Sequence, residues 1–561
     1  MVRAWFGRGS GVVRALAARP DRVMPRRRLA CTLQEMNGAP ESSPDLDARQ
    51  QLYRQFGPAQ VAVSTDGRDV HVTAPIEAGL TVGAFAIVET LDDDHDLVVQ
   101  MRSAQLVERP GPELQLASDV KTLGVDVVSA VIRPVLRAVT GSAAVLGTFG
   151  PDGFQRLAHV EPFGERLVRP ARSDEIDTIV DRLTDASAIP IGVQLGAPDV
   201  PASMVAKGFA RHTFMCGQSG SGKTYTTGVI FERLLAETSL PLVVLDPNSD
   251  HIHLGSLLPA SDPSPPASRF ASVAPSVRVA RARGRDGDHV LCADFSDLSL
   301  EWQALLLRLD PIRDADEFDL LRRTTADLPQ PFSVDDVIAA VEWDTPGEPL
   351  AARLVTRIRN LGIADWDVWR RQGETSMATA NLRAERCVVF DLGSLPRPDE
   401  RTAVALAVLG TRWRLRHDRR PVLIAIDEAH NVLPATTDDP LRRATSELGV
   451  LIAGEGRKFG LHLFIATQRP AKVHPNVVTQ CDNLVLMRMN GGRDVDELVE
   501  SFSHVPEAMV RSALGFGLGQ ALLAGPISPI PNFVQVGRRF SPEGGGDVPT
   551  TWATPPDRQD R

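Results

Sequence analysis

Between Gly217 and Thr224 the chain reads Gly-Gln-Ser-Gly-Ser-Gly-Lys-Thr, three glycines ahead of one lysine and one hydroxyl. Glycines at this spacing let backbone N–H groups curl around a phosphate, and a helix opening at the lysine adds the positive end of its dipole. Gly217, Gln218, Ser219, Gly220, Ser221, Gly222, Lys223 and Thr224 are therefore the expected triphosphate cradle. Lys223 would reach the β- and γ-phosphates and the Thr224 hydroxyl would ligate Mg²⁺, so ATP and Mg²⁺ are the expected ligands. An accidental glycine-rich turn is the bland alternative, and the strand-to-helix setting argues against it.

A second constellation is Val422-Leu-Ile-Ala-Ile-Asp427-Glu428-Ala-His430, an apolar strand ending in two carboxylates. Asp427 would hold Mg²⁺ through its water shell, and Glu428 would orient, or take a proton from, the attacking water. A candidate base inside the motif separates a hydrolase from a nucleotide switch. Further on, Gly454-Glu-Gly-Arg457-Lys458-Phe-Gly460 leads into an apolar strand that closes on Thr467-Gln468-Arg-Pro470. Arg457 is either a finger reaching the γ-phosphate of a neighbouring subunit or an exposed loop arginine. Gln468 is either a strand-end sensor of the γ-phosphate or a buried amide satisfied by backbone. Asp246 and Asp250 end another apolar run, where Asp250 could assist the metal or the water while Asp246 and Ser249 suit turn capping.

These groups need a scaffold that brings strand ends together. From Phe214 onward, short apolar runs alternate with helical segments, the grammar of a parallel α/β sheet. The expected buried strands are His212–Cys216, Leu242–Leu245, Cys387–Phe390, Val422–Ile426, Leu461–Ala466 and Leu484–Met489. Leu258–Pro275 is expected to be an exposed loop because Pro263, Pro265 and Pro266 oppose regular structure. Residues 297–371 carry helical spacing and a capping-box-like Ser333-Val-Asp-Asp336, which predicts a helical insertion. Upstream, runs such as Val61-Ala-Val, Val70-His-Val and Ala84-Phe-Ala-Ile-Val alternate with glycine and aspartate turns and predict a small β-barrel or sandwich. The acidic cluster Asp92, Asp93, Asp94 and Asp96 reads as a solvated hairpin turn. The expected boundaries are a disordered leader over 1–57, the β-rich domain over 58–175, the α/β domain over 176–540 and a mobile tail over 541–561.

Composition narrows the partners. Basic residues number 61 against 71 acidic ones, a net charge of −10, which excludes a globally basic nucleic-acid coat but allows local contact. Arg488 and Arg493, flanking Met489-Asn-Gly-Gly492, are candidates for such contact. Five cysteines, at 31, 216, 292, 387 and 481, form no CxxC pair and read as structural thiols in a reducing, cytoplasmic setting. No apolar run approaches the roughly 18 residues of a membrane span, so no membrane insertion is expected. Only five residues are lysine, and two of them, Lys223 and Lys458, fall inside the motifs above.

Taken together, Arg211-His212, Gly217–Thr224, Asp427-Glu428-Ala-His430, Glu455-Gly-Arg457-Lys458-Phe-Gly460, Thr467-Gln-Arg-Pro470 and Gln480-Cys-Asp-Asn483 resemble, in order, the HerA group of the HerA and FtsK superfamily. The resemblance runs from about Ala59 to Phe540. It implies a small N-terminal β-barrel, a RecA-like P-loop ATPase core with a mainly parallel sheet and a helical insertion, and a C-terminal segment returning toward the barrel. It also implies a homohexameric ring with ATP sites between subunits, Arg457 or Lys458 delivered in trans, Glu428 and Gln468 in catalysis, and double-stranded DNA moved through the pore alongside a partner nuclease or other effector. Where the group usually has a glutamate and an aromatic residue, this chain has Asp250 and His251. Competing readings are a secretion- or conjugation-type ATPase acting on protein, and a slow ATP-dependent scaffold for an effector.

Overall fold

A computed structural model describes residues 58–545, apart from 91–94, 111–113, 116–130, 133–134, 158, 185–186, 260–263, 345–346, 372–373, 375 and 377–384. The expected leader, Cys31, Lys121, most of the acidic cluster and the tail beyond 545 lie outside the described residues.

The N-terminal strands are β1 (Val61–Ser64), β2 (Asp69–Pro75), β3 (Phe85–Val88), β4 (Asp96–Met101), β5 (Gln105–Pro110), β6 (Val135–Gly150), β7 (Gly153–Arg156) and β8 (Phe163–Pro170). Six of them close a ring in the order β2-β1-β8-β3-β4-β6 and back to β2, with every pairing antiparallel. A closed barrel removes the exposed strand edges that a sandwich of this size would leave. Alternation fills the interior: Val70, Val72 and Ala74 of β2 meet Ala62, Val88, Val99 and Met101. All of β3 is nonetheless buried, because the outward Phe85 and Ile87 pack with Val98 under Ile176 and Ile179 of helix α1 (Ser173–Leu183).

The second sheet has twelve strands. In chain order they are β9 (Ala188–Gln194), β10 (Ala197–Val205), β11 (His212–Cys216), β12 (Leu242–Asp246), β13 (Val277–Arg281), β14 (His289–Val290), β15 (Cys387–Asp391), β16 (Val422–Ile426), β17 (Leu461–Thr467), β18 (Cys481–Met487), β19 (Gln520–Ala524) and β20 (Asn532–Val536). Across the sheet they run β10-β9-β20-β19-β18-β11-β17-β16-β12-β15-β13-β14. The stretch from β18 to β14 is parallel, whereas β10, β9, β20 and β19 add an antiparallel flank. The sheet is therefore mixed. Short returns such as Leu195-Gly196 between β9 and β10 permit only antiparallel neighbours, since a parallel crossover needs a dozen or more residues.

Apolar runs with little polar alternation fit strands covered on both faces. In β12, Leu242 and Val244 face one core with Ile230, Phe231 and Leu234 of helix α2 (Lys223–Glu237) and Phe270 of α3 (Pro265–Val273). Val243 and Leu245 face the other core. That second layer holds four helices inserted between β14 and β15: α4 (Leu300–Leu306), α5 (Ala315–Asp327), α6 (Val334–Asp344) and α7 (Pro349–Leu361). It also holds α8 (Pro398–Arg414) and α9 (Pro440–Glu455). At the start of α6, Ser333 and Asp336 cap each other: Asp336 N donates to Ser333 Oγ at 3.1 Å and Ser333 N to Asp336 Oδ2 at 2.7 Å.

Two expectations change. Pro265 and Pro266 do not break structure; they open α3, because the first helical turn has no backbone donor to lose and Ser264 precedes it in an extended conformation. The packed chain also runs past Phe540, since Ser541 is buried and Arg539 is among the largest fully buried side chains. The Arg539 guanidinium fills the space where a Cβ on Gly228 of α2 would sit, 2.4 Å from it. Beside it, Glu232 accepts from Phe540 N at 2.8 Å and Ser541 N at 2.7 Å. Arg233 of α2 lies over the Phe540 ring at 3.8 Å, so residues 538–541 are strapped to the helix that follows the glycine-rich loop. Cys216, Cys292, Cys387 and Cys481 are buried and form no disulfide among the described residues, and no helix of the described residues is long and apolar enough to cross a membrane.

Candidate active site

Parallel strands end at one edge of a sheet, and the predicted groups gather there. Cys216 of β11 lies beside Thr467 of β17 and Leu486 of β18, and Ile426 of β16 lies beside Leu245 of β12. The glycine-rich loop thus emerges between Gln468 on one side and Arg488 on the other, with β17 between it and the strand that ends at Asp427. Gly220 and Gly222 take φ of 74° and 91°, the left-handed region that disfavours any side chain, and α2 starts at Lys223.

Lys223 is buried, with Nζ 2.6 Å from Asp427 Oδ1 and 3.1 Å from Glu428 Oε1. Burial opposes its charge, but the two carboxylates outweigh burial and raise its pKa. Asp427 shows the mirror balance: burial pushes the carboxyl up, while Lys223 and a hydrogen bond from His251 hold it below the usual carboxylate range. Gln468 Nε2 donates to Glu428 Oε1 at 2.7 Å. Glu428 Oε2 is buried, 3.3 Å from His430 Nδ1 but without a hydrogen bond among the described residues, and Ser221 Oγ in the loop is likewise unpartnered. Such orphaned acceptors and donors fit an oxygen-rich ligand and water at this edge. The cavity there is about 610 Å³, lined by Gln218 to Gly220, Gly222 to Tyr225, Asp250, Gln468 and the C-terminal residues 518–519, 535–536 and 543–545. A triphosphate with Mg²⁺ fits the donor set, because Thr224 lines the cavity and Asp427 stands behind Lys223.

Asp246 caps the loop that follows β12, its carboxylate accepting from Asn248 N, Asp250 N and His251 N at 3.2, 3.1 and 2.8 Å. Asp250 faces the cavity, and burial followed by repulsion from Asp246 and Asp427 pushes its pKa up to about 6. Arg457 is not part of this cluster. It precedes β17, at the opposite edge of the sheet, exposed and paired with Asp482 at 2.9 Å. The seven residues of β17 put roughly 20 Å between the two edges. Phe459 anchors that corner against Trp413 and His417. Arg488 does not point into open solvent as a free cation: its Nη2 donates to Gly220 O at 2.8 Å. Arg493 is exposed at the start of the helix Gly492–Ser501.

Part of the chain matches known proteins. A family model described as helicase HerA, central domain, matches residues 189–345, from β9 through the glycine-rich loop into the helical insertion. Over these residues the chain is similar to the central domain of HerA helicases. A probable DNA double-strand break repair helicase HerA of Methanocaldococcus jannaschii is 30% identical over 129 residues, covering 23% of this chain and 25% of that protein. The DNA double-strand break repair helicase HerA of Pyrococcus furiosus is 28% identical over 116 residues, 21% and 20% of the two chains. The chain therefore aligns with 25% and 20% of the length of these curated relatives. Among solved structures, VirB4 of Thermoanaerobacter pseudethanolicus superposes with a TM-score of 0.44 at 15% identity, over 63% of this chain and 97% of that one. The bacterial conjugative coupling protein TrwB gives 0.42 at 14% identity, over 66% and 93%.

Sequence reading missed three contributors. His251 Nε2 lies 3.3 Å from Asp427 Oδ2, His430 lies against Glu428, and the wall formed by Leu518, Gln535 and Glu543 comes from beyond β18. A single histidine has no spacing to recognise. The alternating Gly515-Phe-Gly-Leu-Gly519 was the one local signal of an unusual turn.

Proposed function

We propose that this chain is an ATP-hydrolysing motor of HerA type that assembles as a homohexameric ring and moves double-stranded DNA, alongside a partner nuclease or other effector. The observation that carries the hydrolase reading is the convergence of Lys223, Asp427, Glu428 and Gln468 within hydrogen-bond distance at one sheet edge. Bound ATP with Mg²⁺ supplies the phosphoanhydride and the charge that polarises it. Residues 217–224 bind the phosphates through backbone N–H groups and Lys223. The Thr224 hydroxyl, and Asp427 through water, would hold Mg²⁺, which would neutralise phosphate charge. Glu428 orients the attacking water and takes its proton, and Gln468 holds Glu428 in place.

Arg457 supports the ring. It stands at the wrong edge of the sheet to serve its own site, so a transition-state role requires a second copy. The DNA reading follows the relatives named as DNA double-strand break repair helicases. With a net charge of −10, DNA contact must be local and made to phosphates, hence sensitive to salt.

The test is steady-state ATP hydrolysis with and without long double-stranded DNA, at low and moderate salt, with Lys223→Ala as the blank. Stimulation by DNA that fades as salt rises is expected. Hydrolysis indifferent to DNA at every salt would move the reading to a secretion-type or scaffold ATPase.

A further inference from the structure

The glycine-rich loop lines only part of its cavity. Another part of the lining is C-terminal chain: Leu518 and Gly519 in the turn before β19, Gln535 and Val536 of β20, and Glu543 to Gly545. Leu518 is 69% exposed, a large apolar side chain left in water at a cost of some 25 cal/mol per Å² unless something covers it. Its backbone is not loose. Gly519 N donates to Ser221 O of the glycine-rich loop at 3.1 Å, Val536 N donates to Gly519 O at 2.9 Å, and Gln535 Nε2 donates to Leu518 O at 3.2 Å. Gly519 takes φ of 70°, which lets the turn fold this tightly. The Leu518 Cδ1 atom lies 3.5 Å from where a Cβ on Gly222 would stand, in van der Waals range of the loop itself.

On the same cavity, Glu543 presents a half-exposed carboxylate with Arg539 Nη1 at 3.5 Å. Its strand of chain is held by Gly544 N donating to Asp250 O at 3.0 Å. A Cβ on Gly544 would stand 2.1 Å from Ser249 O, so this approach requires glycine. A carboxylate repels a triphosphate and accepts from hydroxyls, so a sugar suits it better than a phosphate does.

We infer that Leu518 is the platform for the nucleobase and Glu543 the acceptor for the sugar hydroxyls, so that the C-terminal segment selects a ribonucleoside triphosphate over a bare polyphosphate. This rests on the nucleotide reading of the glycine-rich loop. An apolar side chain beside one or two polar groups is the usual composition of a small-molecule site, with the apolar face covering the flat of the ligand. The loop, by contrast, recognises only phosphate and would hold inorganic tripolyphosphate equally well.

The experiment is equilibrium binding of ATP, 2′-deoxy-ATP and inorganic tripolyphosphate, each with Mg²⁺, to the parent chain and to Leu518→Ala, Leu518→Met, Glu543→Gln and Lys223→Ala. Sedimentation and thermal melting accompany each variant. Leu518→Ala is expected to weaken ATP about tenfold and tripolyphosphate by less than about twofold, with Leu518→Met restoring ATP. Glu543→Gln is expected to narrow the gap between ATP and its deoxy analogue, and Lys223→Ala to weaken all three ligands. If Leu518→Ala binds ATP like the parent while Lys223→Ala loses it, the base platform is overturned and the phosphate site stands. The same holds if Leu518→Ala changes only the assembly state, which would make Leu518 a contact between copies. If Lys223→Ala binds every ligand undiminished, the nucleotide reading fails and this inference with it.

Discussion

Glu428 holds a left-handed backbone, φ 41°, which for a residue with a side chain costs on the order of 1–3 kcal/mol and concentrates at working sites. The carboxylate is buried, bonded to Gln468 through one oxygen, with the other 3.3 Å from His430 Nδ1 and without a hydrogen bond among the described residues. That arrangement predicts a separation of binding from turnover. Glu428→Gln keeps the shape and the charge on Lys223, so ATP binding should persist while phosphate release falls by about 10²–10⁴; parent-like turnover in a single-turnover assay would refute the base. At this scale the chain was highly legible. Lys223, Asp427, Glu428 and Gln468 are picked out by their type at the ends of apolar runs, and the fold brings all four together. His251 was not legible, because a lone histidine carries no motif and its contact with Asp427, 176 residues away, is made only by the fold.

At the scale of elements, His212 joins three of them. It opens β11, its Nε2 hydrogen-bonds Ala453 O of α9 at 2.9 Å, and its Nδ1 accepts from Leu463 N of β17 at 2.9 Å. Burial pushes its pKa down from 6.5 to about 4. The unfolded chain therefore binds a proton between these values that the folded chain refuses, so stability from this residue is full above pH 6.5 and is lost as pH falls toward 4. The loss amounts to about 3 kcal/mol across that window. Urea midpoints measured from pH 7 to 4.5 should fall, and His212→Gln should flatten that slope; an unchanged slope would place the acid sensitivity elsewhere. Strands with long apolar runs were legible as elements, since burial on both faces leaves no other pattern. Helix α3 was not, because proline opposes a helix interior but suits its first turn, and the rule depends on where the helix begins.

For the whole molecule, Arg457 decides whether the site is complete in one chain. It lies at the far edge of the sheet with Asp482, away from the cavity of its own chain, so a transition-state role would need another copy. Arg457→Ala should cut turnover by about 10³ and spare ATP binding. Mixed with Glu428→Gln subunits, it should recover activity above the sum of the two proteins measured apart, because each supplies the group the other lacks. A mixture no more active than its components would exclude delivery in trans.

The order of chemical groups, the type of each long buried strand and the existence of a helical insertion were all determined by sequence alone, because glycine at left-handed positions, acids at strand ends and apolar periodicity are local properties. What only the tertiary structure decided is which distant pieces complete the site. The turn before β19, the end of β20 and residues 543–545 of the strap carry no nucleotide motif, yet they line the cavity. Their placement follows from Arg539 packing over Gly228 and from Gly544 passing beside Ser249, contacts between residues hundreds of positions apart that no local pattern records.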